Sequence, residues 1–309
     1  MPEKSLKNKS PKNNSNNWTI IKILSWTESY FKDHPIDSPR LTAEMLLAHC
    51  LGIKRLDLYL QHDRPLQKDE LSRFKSFIKR RILNEPVAYI TGEKGFFESD
   101  FKVAKEVLIP RPDTETIVEK ALGILNAGQD NLKPMRILEL GTGSGAIIVS
   151  LVKAVPHHLY FACDISEKAI LMAKKNADKI IPQMMNDRIS FFAGDWFSSL
   201  NENKLFDLII SNPPYIPTKD IQTLQPEIRQ FEPLLALDGG RDGLSCFKTI
   251  LNDAHRYLVP GGILLLEMGF DQKEGVQNIS KQYPRYQSIE FIRDLAGHNR
   301  VVLIKKSID

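Results

Sequence analysis

The sequence predicts an α/β protein, in which a mostly parallel sheet of seven strands is covered by helices on both faces. A small all-α domain and a β-hairpin linker precede the sheet. Three observations predict this. Apolar residues recur at helical spacing from Trp18 to about Leu83. From Arg136 onward, seven short apolar runs ("RILEL", "HLYFACDI", "RISFFAG", "LFDLIISN", "GILLLEM", "QSIEFIRDL" and "RVVLIKKS") alternate mostly with helix-length connections, the pattern of strands buried on both faces. Between the halves, "AYITGEKGFFESDFKVAKEVLIPRPDTE" alternates aromatic and β-branched residues with glycine turns, as a hairpin does. The expected organisation is a polar tail at 1–17, a helical domain at 18–90, the hairpin linker at 91–112 and the α/β domain at 113–309.

The first element, "MPEKSLKNKSPKNNSNN", has no periodic apolar residues; it cannot offset its ordering entropy and is expected to be disordered. Three helical stretches follow: "WTIIKILSWTESYF", "SPRLTAEMLLAHCLG" and "KDELSRFKSFIKRRIL". Ser38 is the expected N-cap of the second, Pro39 its first helical residue and Gly52 its stop. The cluster Lys79, Arg80, Arg81 reads as a solvated helix end. A new helix is expected near Asp113, before the sheet begins. The last two apolar runs are joined by the short "AGHN", so they can pair only as antiparallel neighbours.

The 309 residues carry a net charge of +4, which permits an anionic or ribosome-associated partner without requiring nucleic acid. Three cysteines lack CxxC spacing, so neither a disulfide framework nor a zinc site is expected. No apolar stretch has the length of a membrane span, and the start lacks the apolar core of a secretory signal. These features predict a cytoplasmic, metal-free protein.

"ILELGTGSGAIIVSLV" reads as a buried strand, a glycine turn and an amphipathic helix. Gly141, Gly143 and Gly145, with Thr142 and Ser144 between them, let a ligand approach the main chain. Asp164 ends the next strand, about 20 residues on, where a carboxylate can accept from ribose hydroxyls. Gly141, Gly143 and Ala146 also satisfy the dinucleotide fingerprint, so a nicotinamide-dependent dehydrogenase competes at this point. "GDWF" follows the third strand, placing Asp195 to bond an adenine amino group and Trp196 to pack on its ring.

The fourth strand ends in "NPPY", residues 212–215, at the carboxyl edge where open α/β sheets bind ligands. Pro213 and Pro214 each fix φ, and each drives the residue before it to extended geometry. The segment is therefore stiff. Beside a sulfonium methyl donor, the Asn212 side-chain oxygen and the Pro213 carbonyl could accept both N–H groups of a planar NH₂. They would aim its lone pair and favour the positive charge that grows on nitrogen. Tyr215 would supply a flat wall.

These motifs resemble class I S-adenosylmethionine-dependent methyltransferases of Rossmann-like fold, and specifically the HemK/PrmC family of peptide chain release factor glutamine N5-methyltransferases. "SPRLTAEMLLAHCLG" is similar to that family's helical N-terminal domain, "EPVAYITGEKGFF" and "VLIPRPDTE" to its linker, "ELGTGSGAI" to its cofactor loop and "NPPYIP" to its catalytic motif. "FEPLLALDGGRDGL", "LLLEMG" and "DLAGHNRVV" are similar to its later segments. The resemblance implies the methionine moiety of the cofactor against residues 141–145, its ribose on Asp164, its adenine near Asp195 and Trp196, and contact with Asn212. It implies a substrate glutamine, from the Gly-Gly-Gln loop of release factors, on Asn212, Pro213, Pro214 and Tyr215, with the helical domain recognising the release factor. A monomer is expected. A ribosomal-protein glutamine methyltransferase and an adenine N6-methyltransferase remain alternatives, because each acts on a planar NH₂.

Overall fold

The computed structural model describes residues 18–127 and 133–308, so the tail expected at 1–17 lies outside the described residues. The chain divides into two compact units between Thr91 and Gly92.

The first unit holds helices α1 (Ile20–Lys32), α2 (Pro39–Leu51), α3 (Arg55–Leu60), α4 (Lys68–Ile82) and α5 (Val87–Thr91). Ile20, Ile23, Leu24, Thr27 and Phe31 form the buried stripe of α1, and their spacing puts them on one helical face. That stripe shares a core with Ala43, Leu46 and Leu47 of α2 and Phe74 and Ile78 of α4. Ser38 does occupy the N-cap position of α2, but its φ of 48° is left-handed and its side chain makes no capping bond. The basic end of α4 also differs from expectation. Arg80 pairs with Glu85 at 2.5 Å and reaches the carbonyl of Tyr89, while Arg81 is buried and donates to the Glu85 carbonyl. A local run of charge cannot reveal that the following turn folds back to collect it.

The second unit opens with the hairpin β1 (Glu93–Phe96) and β2 (Ser99–Lys102). Phe96 and Phe101 sit in its main core cluster. After a short turn at Pro112–Thr114 come α6 (Glu115–Ala127), β3 (Arg136–Leu140), α7 (Ala146–Ala154), β4 (Leu159–Asp164), α8 (Glu167–Ile180), β5 (Ile189–Ala193) and β6 (Phe206–Ser211). The chain continues through α9 (Pro226–Phe231), α10 (Ser245–Tyr257), β7 (Leu258–Glu267), α11 (Lys273–Ser280), β8 (Tyr286–Arg293) and β9 (Asn299–Lys306).

The seven main strands lie in the order β5-β4-β3-β6-β7-β9-β8. The first five in that order are parallel, and β9 runs antiparallel to both β7 and β8. Successive residues of one strand serve opposite faces: Ile137 joins the cluster formed with α6 and α7, whereas Leu138 and Leu140 join the cluster formed with α10. Both faces are thus covered, as the unbroken apolar runs require. The chain leaves β3 toward β4 on one side, and β6 returns on the other. This reversal opens a crevice at the carboxyl ends of β3 and β6.

Candidate active site

The crevice is a cavity of ≈ 310 Å³. Its lining brings together Gly141, Thr142, Gly143, Ser144, Asp164, Asp195, Trp196, Asn212 and Pro214 from the ends of four parallel strands. Three residues singled out in the sequence lie behind this surface. Pro213 is buried, and Tyr215 packs against the α10-side core with its hydroxyl 3.4 Å from Glu267 Oε1. Gly145 is the left-handed N-cap of α7, at φ 80°.

The glycines do different work. A Cβ on Gly141 or Gly143 would meet nothing within 4 Å, whereas one on Gly145 would lie 3.1 Å from Ala173 Cβ of α8. Gly141 and Gly143 face open space where a ligand can approach, and Gly145 lets two helices close. The loop is tied to Asp164, whose carboxylate accepts from Gly143 N at 2.8 Å and from Ser166 N at 2.9 Å. Burial raises the Asp164 pKa, and those two N–H groups pull it back. Each oxygen retains acceptor capacity for a hydroxyl.

Asn212 follows the last residue of β6, and its Nδ2 donates to Thr114 Oγ1 at 3.2 Å. The amide end is thereby engaged, and the oxygen end has no partner among the described residues. The backbone beyond it is held from behind. Gln272 Nε2 donates to the carbonyls of Tyr215 at 2.8 Å and Gly243 at 3.1 Å. A Cβ on Gly243 would come within 2.4 Å of the Tyr215 oxygen. The proline-stiffened segment is therefore clamped as well as intrinsically rigid.

Several lining residues escaped the sequence reading. Glu139 is 1% exposed, and its Oε2 accepts the Thr142 hydroxyl at 2.5 Å. Burial pushes its pKa up to about 8, against the opposing pull of Thr142. Its signal was present as the one acid inside "RILEL". Arg111 lines the cavity and pairs with buried Glu232, whose other oxygen accepts from Ile109 N at 3.2 Å. Glu232 thus ties "LIPRP" to the segment carrying Pro233, Leu235 and Ala236, which forms another part of the wall. Cys246 also faces the cavity, but burial pushes its thiol up to about 11, which leaves it protonated at neutral pH. Among the described residues no His, Cys, Asp and Glu group has the makings of a metal site, and no helix is long and apolar enough to cross a membrane.

Comparison with known proteins gives the same picture at family level. The PrmC N-terminal domain family matches residues 22–92, and the Methyltransferase small domain family matches residues 124–240. The "Release factor glutamine methyltransferase" of Geobacter sulfurreducens is 42% identical over 259 residues, covering 84% of this chain and 87% of its own length. That of Rhodopirellula baltica is 35% identical over 294 residues, covering 95% and 98%. The N-terminal domain of human METTL16 in complex with SAH superposes with a TM-score of 0.50 at 16% identity, over 90% of this chain and 96% of that one. At that identity it shows a shared fold.

The cavity suits S-adenosylmethionine. It offers an uncluttered glycine turn, two carboxyl groups at Asp164 and Glu139 and the side chain of Trp196. Apolar walls with a few converging polar groups are what a small-molecule site of this size requires. The chain belongs to the release factor glutamine methyltransferase family, with the class I methyltransferase fold and S-adenosylmethionine as its cofactor.

Proposed function

We propose that this site methylates the side-chain amide nitrogen, N5, of the glutamine in the Gly-Gly-Gln loop of peptide chain release factors, supporting translation termination. The observation that carries the proposal is the Asn212 carboxamide at the crevice, held by its nitrogen on Thr114 so that its oxygen is left for a substrate. Bound S-adenosylmethionine supplies an electrophilic methyl group. In this reading residues 141–144, Asp164, Asp195 and Trp196 bind it, with Gly145 setting the turn.

The chain's own task is to make a poor nucleophile react. An amide nitrogen shares its lone pair with the carbonyl, so the lone pair must be aimed and the growing positive charge accommodated. Asn212 Oδ1 accepts one N–H group, and the carbonyl of Pro213, whose ring is buried just behind the surface, is assigned the other; these bonds strengthen as nitrogen becomes positive, which lowers the barrier rather than only binding substrate. Pro214 forms the wall beside them, and Tyr215 backs the segment from the core. The proton leaves to water after attack, so no strong base is needed. The helical unit is assigned the recognition of the release factor, in keeping with its match to the PrmC N-terminal domain family.

The test is to incubate the protein with methyl-labelled S-adenosylmethionine and, separately, a release factor, its Gly-Gly-Ala variant, a ribosomal-protein mixture and DNA. Mass spectrometry then locates the label. Label on the loop glutamine alone is expected. Label on DNA or ribosomal protein, with none on the release factor, overturns the reading.

A further inference from the structure

The cavity has an apolar lip beside the exit of β6. It is built on residues 232–238, which are fixed at both ends. Before the lip, the buried Glu232 carboxylate accepts from Ile109 N at 3.2 Å and pairs with Arg111. After it, the Leu237 carbonyl accepts from Ile216 N at 3.0 Å, and Gly239 N donates to the Ile216 carbonyl at 2.8 Å. Ile216 directly follows residues 212–215, so the lip runs alongside the segment assigned to the substrate amide. The residues assigned to S-adenosylmethionine stand at the ends of β3, β4 and β5 instead.

Between these anchors a 3₁₀ turn, Leu234–Ala236, carries two exposed leucines: Leu234 is 58% exposed and Leu235 60%. Side chains one residue apart on such a turn diverge by about 120°, and of the two it is Leu235 that lines the cavity. Asn212 and Pro214 line the same cavity. A leucine that belongs to the lining and is still largely exposed stands at the mouth.

We propose that Leu235 is a specificity-determining residue: it packs on the main chain just before the target glutamine and admits glycine there but no side chain. The proposal rests on the glutamine-methylation reading and extends it to the residue that flanks the target.

Reach sets the requirement. Four bonds join a glutamine Cα to its amide nitrogen, an extended span of roughly 5 Å. With that nitrogen bonded to Asn212 Oδ1, the main chain of the loop has to come down to the rim of the cavity. There it meets a wall that cannot retreat, since the lip is tied at both ends. A glycine brings bare backbone against the Leu235 methyl groups and takes their apolar surface out of water. A Cβ at the same place lifts the backbone off the leucine, and the short tether passes that shift to the reacting nitrogen.

A misplacement of about 1 Å at the reacting atom costs on the order of 100-fold in rate. Because Leu235 acts through the position of that nitrogen, a side chain before the glutamine lowers kcat as well as raising KM. Truncating Leu235 removes the restriction: the native loop loses contact area, and a loop with a side chain gains room.

The experiment measures methylation of a full-length release factor, and of its Gly→Ala variant at the residue before the loop glutamine, by full-length wild type, Leu235→Ala, Leu235→Met and Leu234→Ala. Wild type is expected to favour the native loop by roughly 10- to 100-fold in kcat/KM, the scale on which one extra methyl group is rejected. In Leu235→Ala that preference should shrink severalfold, with the rate on the native loop lowered and the rate on the Gly→Ala loop raised. The side chain is exposed, so the variant should melt as wild type does, and it should bind S-adenosylmethionine with wild-type affinity by calorimetry. Leu235→Met, of similar volume, should restore the preference. Leu234→Ala, truncated at the equally exposed neighbour, should keep both rates. An undiminished preference in Leu235→Ala, an equal loss of preference in Leu234→Ala, or a wild type that methylates both loops alike overturns the proposal and leaves the functional reading standing. A wild type that methylates no glutamine overturns both.

Discussion

Asn212 and Glu139 are polar residues at the ends of neighbouring buried strands, and the structure gives them opposite kinds of work. Asn212 presents an uncharged acceptor whose partner at the other end is Thr114. Asn212→Ala should bind S-adenosylmethionine with unchanged affinity by calorimetry and lose on the order of 100-fold in kcat, the scale of one hydrogen bond that matters chiefly at the transition state. Full turnover on release factor would remove Asn212 from the proposed chemistry. Glu139 instead carries a proton cost. Its pKa rises from 4.5 to about 8 on folding, so the folded chain holds this proton more tightly than the unfolded one. The stability it contributes is complete at low pH and is lost as pH climbs through about 8. Glu139→Gln should therefore show a smaller fall in Tm between pH 5 and pH 9 than wild type, measured without cofactor. An equally steep fall would contradict the assignment.

At the scale of elements, stiffness and clamping add together in the segment after β6. Two prolines restrict it locally, as the sequence predicts, and the turn at 239–243 closes over it from a distance. Gly243 has φ +73°, and a Cβ there would intrude on the Tyr215 carbonyl at 2.4 Å. Gly243→Ala should lower stability by about 1–3 kcal/mol through left-handed strain and overpacking, and it should reduce kcat as well, because the displaced neighbour is the Asn212–Tyr215 segment. Thermal melting and turnover measured together check this; a stable, fully active variant would show that the clamp is dispensable. The hairpin of β1 and β2 shows the same division between local and distant causes. Its alternating aromatics announce a hairpin, while Phe96 and Phe101 lie in the core of the second unit only because α8 receives them, with Asn176 bonding both backbone groups of Lys102.

For the whole molecule, cofactor binding and folding are linked, since the cavity exists only where four strand ends are assembled. S-adenosylmethionine at 100 times its Kd should stabilise the protein by about 2.7 kcal/mol, a rise in Tm of roughly 5–10 °C for a unit of this size. Asp164→Ala removes the carboxylate that ties Gly143 and Ser166 and should abolish most of that rise; an undiminished shift would refute the ribose role of Asp164. The sequence by itself determined the seven strands, their burial on both faces, the glycine turn and the stiff exit at 212–215, because each depends on the spacing and backbone restrictions of nearby residues. It also placed Asp164, Asp195, Trp196 and Asn212 at carboxyl strand ends, which in a parallel sheet face one crevice. Only the tertiary structure decided that Arg80 and Arg81 bond the turn that follows them, that Gly145 serves helix packing, that Thr114 meets Asn212 and that Tyr215 reaches Glu267. Tyr215 and Glu267 are separated along the chain and are brought together by the pairing of β6 with β7, within the order β6-β7-β9 in the sheet. That order is set by which long-range pairings bury both faces together, a cooperative property of the whole sheet to which no single segment holds the key.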